Sequence, residues 1–292
     1  MEKYISNEFL LSTVEAIVYI LTAFLILFVG KVVYNLLHKN INVKSELVDK
    51  DNFAFSVSHT GYLIGLVLAV GGSIVGPSNG FVNDIIDIAI YGGLGIVLLN
   101  LSLFINDKVI LRKFSAEKEI IQDRNVGTGV IEAASSIASG LIIYGAITGE
   151  SSSLAHGLTT AVVFWLLGQL ILILTSYVYN LITPYNIHEE IEKDNVAVGI
   201  GVAGSLVAIA NIIRFAIEGD FVGWTNVLSE VGVDVLLGLI LLPIIRLIAD
   251  KVLLPGAKLT DEIVNQEKPN NGAALIEAFA YIGGSMLLTW CI

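Results

Sequence analysis

Eight stretches of this chain are long and apolar enough to cross a lipid bilayer, and they leave room for little else. They lie at 9–37, 53–76, 82–106, 126–148, 155–182, 196–217, 223–249 and 272–292. Val14 to Val29 is interrupted only by Glu15 and Thr22, and between Val231 and Ile248 the only charged residues are Asp234 and Arg246. The short alternating segments of an outer-membrane barrel are absent. The expected fold class is therefore an all-α polytopic membrane protein with eight transmembrane helices. Composition agrees: 55% of the 292 residues are hydrophobic and 15% charged, where a soluble domain carries about a quarter charged. The single cysteine, Cys291, cannot close an intrachain disulfide, and no Cys/His set has metal-ligand spacing. A net charge of −11 argues against nucleic acid as a partner. The first run is too long for a signal peptide and has no basic segment before it beyond Lys3, so it reads as a retained span.

Lys and Arg set the expected orientation. Four longer connections, about 38–52, 107–125, 183–195 and 250–270, hold fourteen of the sixteen bases when their helix ends, including Lys31 and Arg246, are counted. The other side has only Lys3 and Arg214. The positive-inside rule places the four loops in the cytoplasm and both termini outside, in a bacterial inner membrane. The third loop is the weakest case, with Lys193 against Glu189, Glu190, Glu192 and Asp194. The outer side is acidic, with Glu2, Glu8, Glu15, Asp84, Asp87, Glu150, Glu218, Asp220, Glu230 and Asp234. Such a rim either concentrates cations or is simply tolerated there, since acids count little in topology.

The chain repeats. Each long loop ends in an Asn that opens the next helix, and Asn52, Asn125, Asn195 and Asn270 follow one another at nearly even steps. Asn is a good helix N-cap, because its side-chain oxygen accepts a free backbone N–H of the first turn. A longer period, close to half the chain, is superimposed. Tyr34-Asn35-Leu36 recurs as Tyr179-Asn180-Leu181, Asp51-Asn52-Phe53-Ala54 as Asp194-Asn195-Val196-Ala197, and Asp107-Lys108-Val109 as Asp250-Lys251-Val252. Asp87 recurs as Glu230, and Glu132 as Glu277. The expected organisation is two four-helix repeats, 1–149 and 150–292, inserted in the same sense because each crosses an even number of times.

Paired spans with a loop ending in Asp-Asn-x-Ala before a small-residue helix resemble the bacterial inner-membrane family called domain of unknown function 350. The resemblance is clearest at Asp51-Asn52-Phe53-Ala54 and Asp194-Asn195-Val196-Ala197; Arg124-Asn125-Val126-Gly127 and Asn270-Asn271-Gly272 are looser versions. It covers the whole chain as two tandem copies. It implies no established activity, only an association with membrane remodelling and envelope stress.

Seven positions past each opening Asn stand His59, Glu132, Val202 and Glu277, about 10 Å inside the helix start. Ionisable groups at that depth are costly and usually face a bundle interior or water. His59, Glu132 and Glu277 are therefore the candidate site for a proton or small cation. The competing reading has each Glu protonated and bonded to a neighbouring helix. Glu15 is a weaker candidate that snorkels or pairs with Lys3. Arg214 and Glu218, four apart, suit a helix-surface ion pair. Asn100, Gln169 and Asn211 suit interhelical hydrogen bonds, and Pro243 should kink its span. Small residues concentrate in the first helix after each loop, as in Gly61-Tyr62-Leu63-Ile64-Gly65, Ser135 to Gly140, Gly199 to Ser205 and Gly283 to Ser285. They suit close packing or, alternatively, a pore lining.

No nucleophile elbow, P-loop, dinucleotide fingerprint, HExxH or CxxC is present. The expectation is a non-enzymatic membrane protein without cofactor, catalytic residue or bound metal, which binds or conducts protons or small cations through the Glu/His layer. The rival is a scaffold whose cytoplasmic loops recruit a soluble partner involved in envelope stress or membrane remodelling. Expected partners are the lipid bilayer, a second copy in a homo-oligomer, or a cytoplasmic protein.

Overall fold

The computed structural model of the chain describes residues 7–111, 113 and 115–292. Glu2, Lys3 and Arg112, used in the charge count above, lie outside the described residues, as does the side chain of Glu8. Eight long helices follow the eight apolar runs: α1 Asn7–Leu37, α2 Phe53–Val75, α3 Phe81–Ile105, α4 Val126–Ile147, α5 Leu154–Ile182, α6 Val196–Ile217, α7 Trp224–Ile248 and α8 Asn271–Cys291. All eight are long and apolar enough to span a membrane. The helix α7 runs unbroken through Pro243. Each long loop carries a short helix, at Ser45–Asp49, Ala116–Ile121, Ile187–Glu192 and Leu259–Val264, and π-helical turns at Asn106–Ile110 and Ala249–Leu253 extend α3 and α7 into the second and fourth loops. No strand occurs among the described residues.

The small-residue helices α2, α4, α6 and α8 stand side by side in an inner row. The bulkier α1, α3, α5 and α7 form an outer row against them: α3 lies on α2 and α4, α5 on α4 and α6, α7 on α6 and α8. Backbone proximity explains the sorting. A Cβ on Gly140 would fall 2.4 Å from the Gly65 carbonyl oxygen, and one on Gly199 would fall 2.6 Å from that of Gly127. Only a side chain of one hydrogen fits there, so the glycine faces pack helix on helix rather than lining a pore. Outer-row residues such as Phe24, Leu170 and Leu236 face outward and are exposed, which suits acyl chains and not water. The apolar packing does not stop between the two sequence repeats: Ala161 and Trp165 of the second join the cluster of the first, and Ile110, Leu111, Ile131 and Ile142 of the first join that of the second.

Polar stitches join the units on the long-loop side. Each opening Asn caps its helix, Oδ1 accepting from Phe55, Thr128, Val198 and Ala273 N–H at 2.9 to 3.2 Å. Each Nδ2 also donates to a Glu of its own loop: Asn52 to Glu46, Asn125 to Glu119, Asn195 to Glu190 and Asn270 to Glu262, at 2.8 to 3.1 Å. In three cases Nδ2 then reaches the next unit, at Ile120 O (2.9 Å), Ile191 O (2.6 Å) and Ile263 O (3.0 Å). The residue before the Asn takes a left-handed conformation in the first three units, at Asp51, Arg124 and Asp194. Pro269 holds that place in the fourth and cannot adopt it. The Glu there lies eight positions before its Asn rather than five or six.

The smaller polar expectations are met. Asn100 bonds Tyr62, Gln169 bonds Ser139 and Asn211 bonds Ser285, at 3.0 to 3.3 Å and each between helices. Arg214 pairs with Glu218 near the short-turn end of α6. Asp107 and Asp250 play one role in both repeats, accepting the Ala116 and Leu259 N–H at 2.7 and 2.6 Å.

Candidate functional site

The four caps start the inner helices at one level, so the residues seven positions on share one depth. His59, Glu132, Val202 and Glu277 fall on α2, α4, α6 and α8 respectively. They form a row and not a cluster. Packed helices lie about 8–10 Å apart, and α6 stands between α4 and α8. Glu132 and Glu277 are thus roughly 16–20 Å apart by two such steps, too far to hold one ion together. Each carboxyl instead leans back toward the preceding inner helix. Glu132 Oε1 accepts from Ser58 Oγ at 2.7 Å. Gly201, the counterpart of Ser58 in the second repeat, faces Glu277, where a Cβ would come within 2.8 Å of Oε2.

Around Glu277 the neighbourhood is closed. Its side chain is fully buried, and Oε1 accepts from Arg246 Nη1, from Tyr179 OH at 3.2 Å and from Tyr281 OH at 3.3 Å. Arg246 extends a second nitrogen toward Thr260 Oγ1 at 3.4 Å and lies 5.7 Å over the Tyr185 ring. Burial, followed by the Glu277 charge, pushes the Tyr185 hydroxyl up to about 12, so it stays protonated at neutral pH. Two opposite charges taken out of water together, with two tyrosine hydroxyls also donating to Oε1, are tolerable where one alone is not, although Oε2 accepts no hydrogen bond. The charge count had placed Arg246 among the loop bases. It is instead 8% exposed and turned inward.

Around Glu132 the same register has different company. Leu103 takes the place in the first repeat that Arg246 holds in the second, so no guanidinium reaches the first carboxyl. Glu132 lines a cavity of about 690 Å³ on the long-loop side. Tyr34, His38, Asn100, Asp107, Lys108 and Glu117 share its wall with apolar residues of α1 and α3. Leu37, Val97 and Phe104 belong both to this wall and to the exposed surface, so the cavity opens between α1 and α3. Lys108 pairs with Asp107 at 2.5 Å, which leaves the Glu132 and Glu117 carboxyls without a Lys or Arg partner among the lining residues.

His59 does not join the cavity wall. It is 4% exposed, stacked on Phe55 at 5.3 Å and met edge-on by Tyr34 at 4.9 Å, and its Nδ1 has no polar partner. The structure thus brings Glu132 together with Ser58 and the cavity, Glu277 together with Arg246, and His59 together with aromatic rings. Sequence reasoning missed Arg246 and the four loop Glu residues. Arg246 carried a signal that did not discriminate: it is the one base between Val231 and Ile248, but Lys31 and Arg214 also stand inside apolar runs. The Glu spacing of five, six or eight carried none until the loop path was known.

Comparisons with known proteins agree with this architecture. The family model described as Domain of Unknown Function (DUF350) matches the chain twice, at residues 7–147 and 153–292. A UPF0719 transmembrane protein of Aquifex aeolicus (strain VF5) is 22% identical over 205 residues, covering 70% of this chain and 74% of that protein. No solved structure matches.

Proposed function

The chain belongs to the DUF350 family in two tandem copies, and from the divergence of those copies we propose that the first holds the working site and the second a structural knot. The working reading is a non-enzymatic membrane protein that binds a proton or small cation at Glu132. One observation carries it: Glu132 faces an open cavity with no guanidinium, while its repeat counterpart is neutralised by Arg246. A carboxyl at membrane depth is costly, and a partner or a ligand must offset that cost. Ser58 supplies one hydrogen bond, and the cavity leaves room for the rest. The Lys and Arg distribution supports a cytoplasmic location, in a bacterial inner membrane, for the long-loop end at which the cavity lies.

The test is binding and flux in proteoliposomes. The parent should bind protons or a monovalent cation with a signal that disappears in Glu132→Gln, while unfolding temperature stays within a few degrees of the parent. A parent that neither binds nor passes any such ion removes the reading. The scaffold reading is supported by the stitches, which hold the long-loop side as a fixed surface with Glu189 and Glu192 exposed on it. Neutralising those two as Gln, with Glu190 and Asn195 left intact, should release a soluble partner if that reading is correct. Unchanged co-purification counts against it.

A further inference from the structure

Three junctions between neighbouring two-helix units are built alike, and the described residues leave both ends of the row in the same form but unfilled. At the internal junctions the capping amides of Asn52, Asn125 and Asn195 are buried, at 0%, 1% and 4% exposure, whereas Asn270 is exposed. The carbonyls that receive those amides belong to Ile120, Ile191 and Ile263, each directly after its loop Glu and at most 3% exposed. The residue directly after the first loop Glu is Leu47, and it is 37% exposed. One end therefore offers a donor and the other the matching acceptor position.

The helices repeat the pattern. Ile131, Ala138 and Ile142 of α4 are fully buried in the cluster of the second repeat. Counted from the opening Asn of each helix, their counterparts on α8 are Ile276, Gly283 and Leu287. Ile276 is 36% and Leu287 61% exposed, and a Cβ on Gly283 would meet only the Phe279 ring of its own helix. At the opposite end, α3 and α5 each lie over the groove between two inner helices, but α1 rests on α2 and α3. Only 11% of its apolar stretch is buried, against 50% in α3 and α5.

We propose that a second copy of this chain fills these ends head to tail. The helix α8 of one copy enters the groove between α1 and α2 of the next, and Asn270 donates to the Leu47 carbonyl as Asn195 donates to Ile263. Membrane geometry permits this, because each unit crosses twice, so one further step along the row keeps the second copy the same way up. The contact joins two different surfaces, and repeating it gives a ring or a chain rather than a two-fold dimer. Phe279 and Trp290 stand where α4 has Ala134 and Gly145. The copies therefore meet most closely at the Asn270 end and splay toward the short-turn side. This inference is independent of any ligand at Glu132.

Thiol crosslinking in native membranes tests it. In a Cys291→Ser background, Leu47→Cys with Asn270→Cys in one chain should give a ladder of multimers under a short bifunctional reagent. Each single variant alone should give none, and the two singles co-expressed should give dimers only. Dimers from either single variant alone, or no product from the double variant, overturn the proposal. In lipid nanodiscs the parent should assemble with concentration. Gly283→Leu, whose Cβ meets only the Phe279 ring in its own chain, should raise the half-assembly concentration about tenfold or more by overfilling the contact with an unchanged unfolding temperature. A parent that stays monomeric at every concentration, or a variant that assembles like the parent, also overturns it.

Discussion

Glu132 and Glu277 began as one position copied into two repeats, and the two repeats met the same electrostatic problem in opposite ways. In the second, α7 turns Arg246 inward and three tyrosines and a threonine crowd the pair. In the first, the same step of α3 carries Leu103, and space remains beside the carboxyl. The difference teaches that a carboxyl at one register position of a repeat can be paired inside the fold in one copy and left beside open space in the other. The comparison breaks if Arg246 proves dispensable. Arg246→Met should cost about 3–5 kcal/mol, because Glu277 is left buried and unpaired, while Leu103→Met at the matching position should cost less than about 1.5 kcal/mol. Chemical unfolding in a mild detergent reads both. Pairing Arg246→Met with Glu277→Leu should recover most of the loss, since removing both charges together removes the penalty.

The comparison sharpens if the first repeat can be converted into the second. Leu103→Arg places a guanidinium where Arg246 stands in the other copy, and the open cavity gives it room. In a double-mutant cycle with Glu132→Gln, the two changes should couple by about 1–3 kcal/mol, the arginine being tolerated only while the carboxylate is present. The same variant should abolish proton or cation binding. Additive stabilities would mean that the two carboxyls do not occupy equivalent surroundings, and the contrast between open and closed sites would fail.

A smaller contrast separates inner stitches from the terminal one. Asn195 caps a helix, bonds Glu190 and crosses to Ile263; Asn270 does only the first two. Asn195→Ala should cost about 2 kcal/mol and Asn270→Ala about 1 kcal/mol in the isolated monomer, the difference being one buried hydrogen bond. Equal losses would show that the crossing bond contributes nothing. The caps were legible in the sequence because Asn must precede a helix at regular spacing, and the spans because lipid demands apolar length. The depth match of Glu132 and Glu277 followed from the same spacing. Their contrasting surroundings did not, since Arg246 at a helix end reads equally well as a snorkelling base or as an inward partner. The row arrangement was hidden too: the longer sequence period advertises two halves, while the packing repeats in two-helix steps with glycine faces on both sides of α4 and α6.

The least of the expected effects concerns acid and the first stitch. Burial pushes the Glu46 carboxyl up, but hydrogen bonds from Lys50 and Asn52, together with the charges of Lys50 and Arg124, outweigh it and hold the group below its ordinary value. A carboxyl held lower in the folded than in the unfolded chain adds stability above its unfolded value and loses it as pH falls through the folded one. Parent protein should therefore exceed Glu46→Gln in stability at neutral pH, and the gap should close only at pH values below the usual carboxylate range. At Asp194 the sign reverses: burial raises its carboxyl despite the hydrogen bond from the Val126 N–H at 3.2 Å. Asp194→Asn should thus exceed the parent in stability at neutral pH and lose that advantage as pH falls through the raised folded value to the ordinary one. Unfolding of the three proteins from neutral pH down into strong acid separates the two behaviours. A Glu46→Gln deficit that persists unchanged at the acid end would mean that this stitch is held by shape and neutral hydrogen bonds, not by charge.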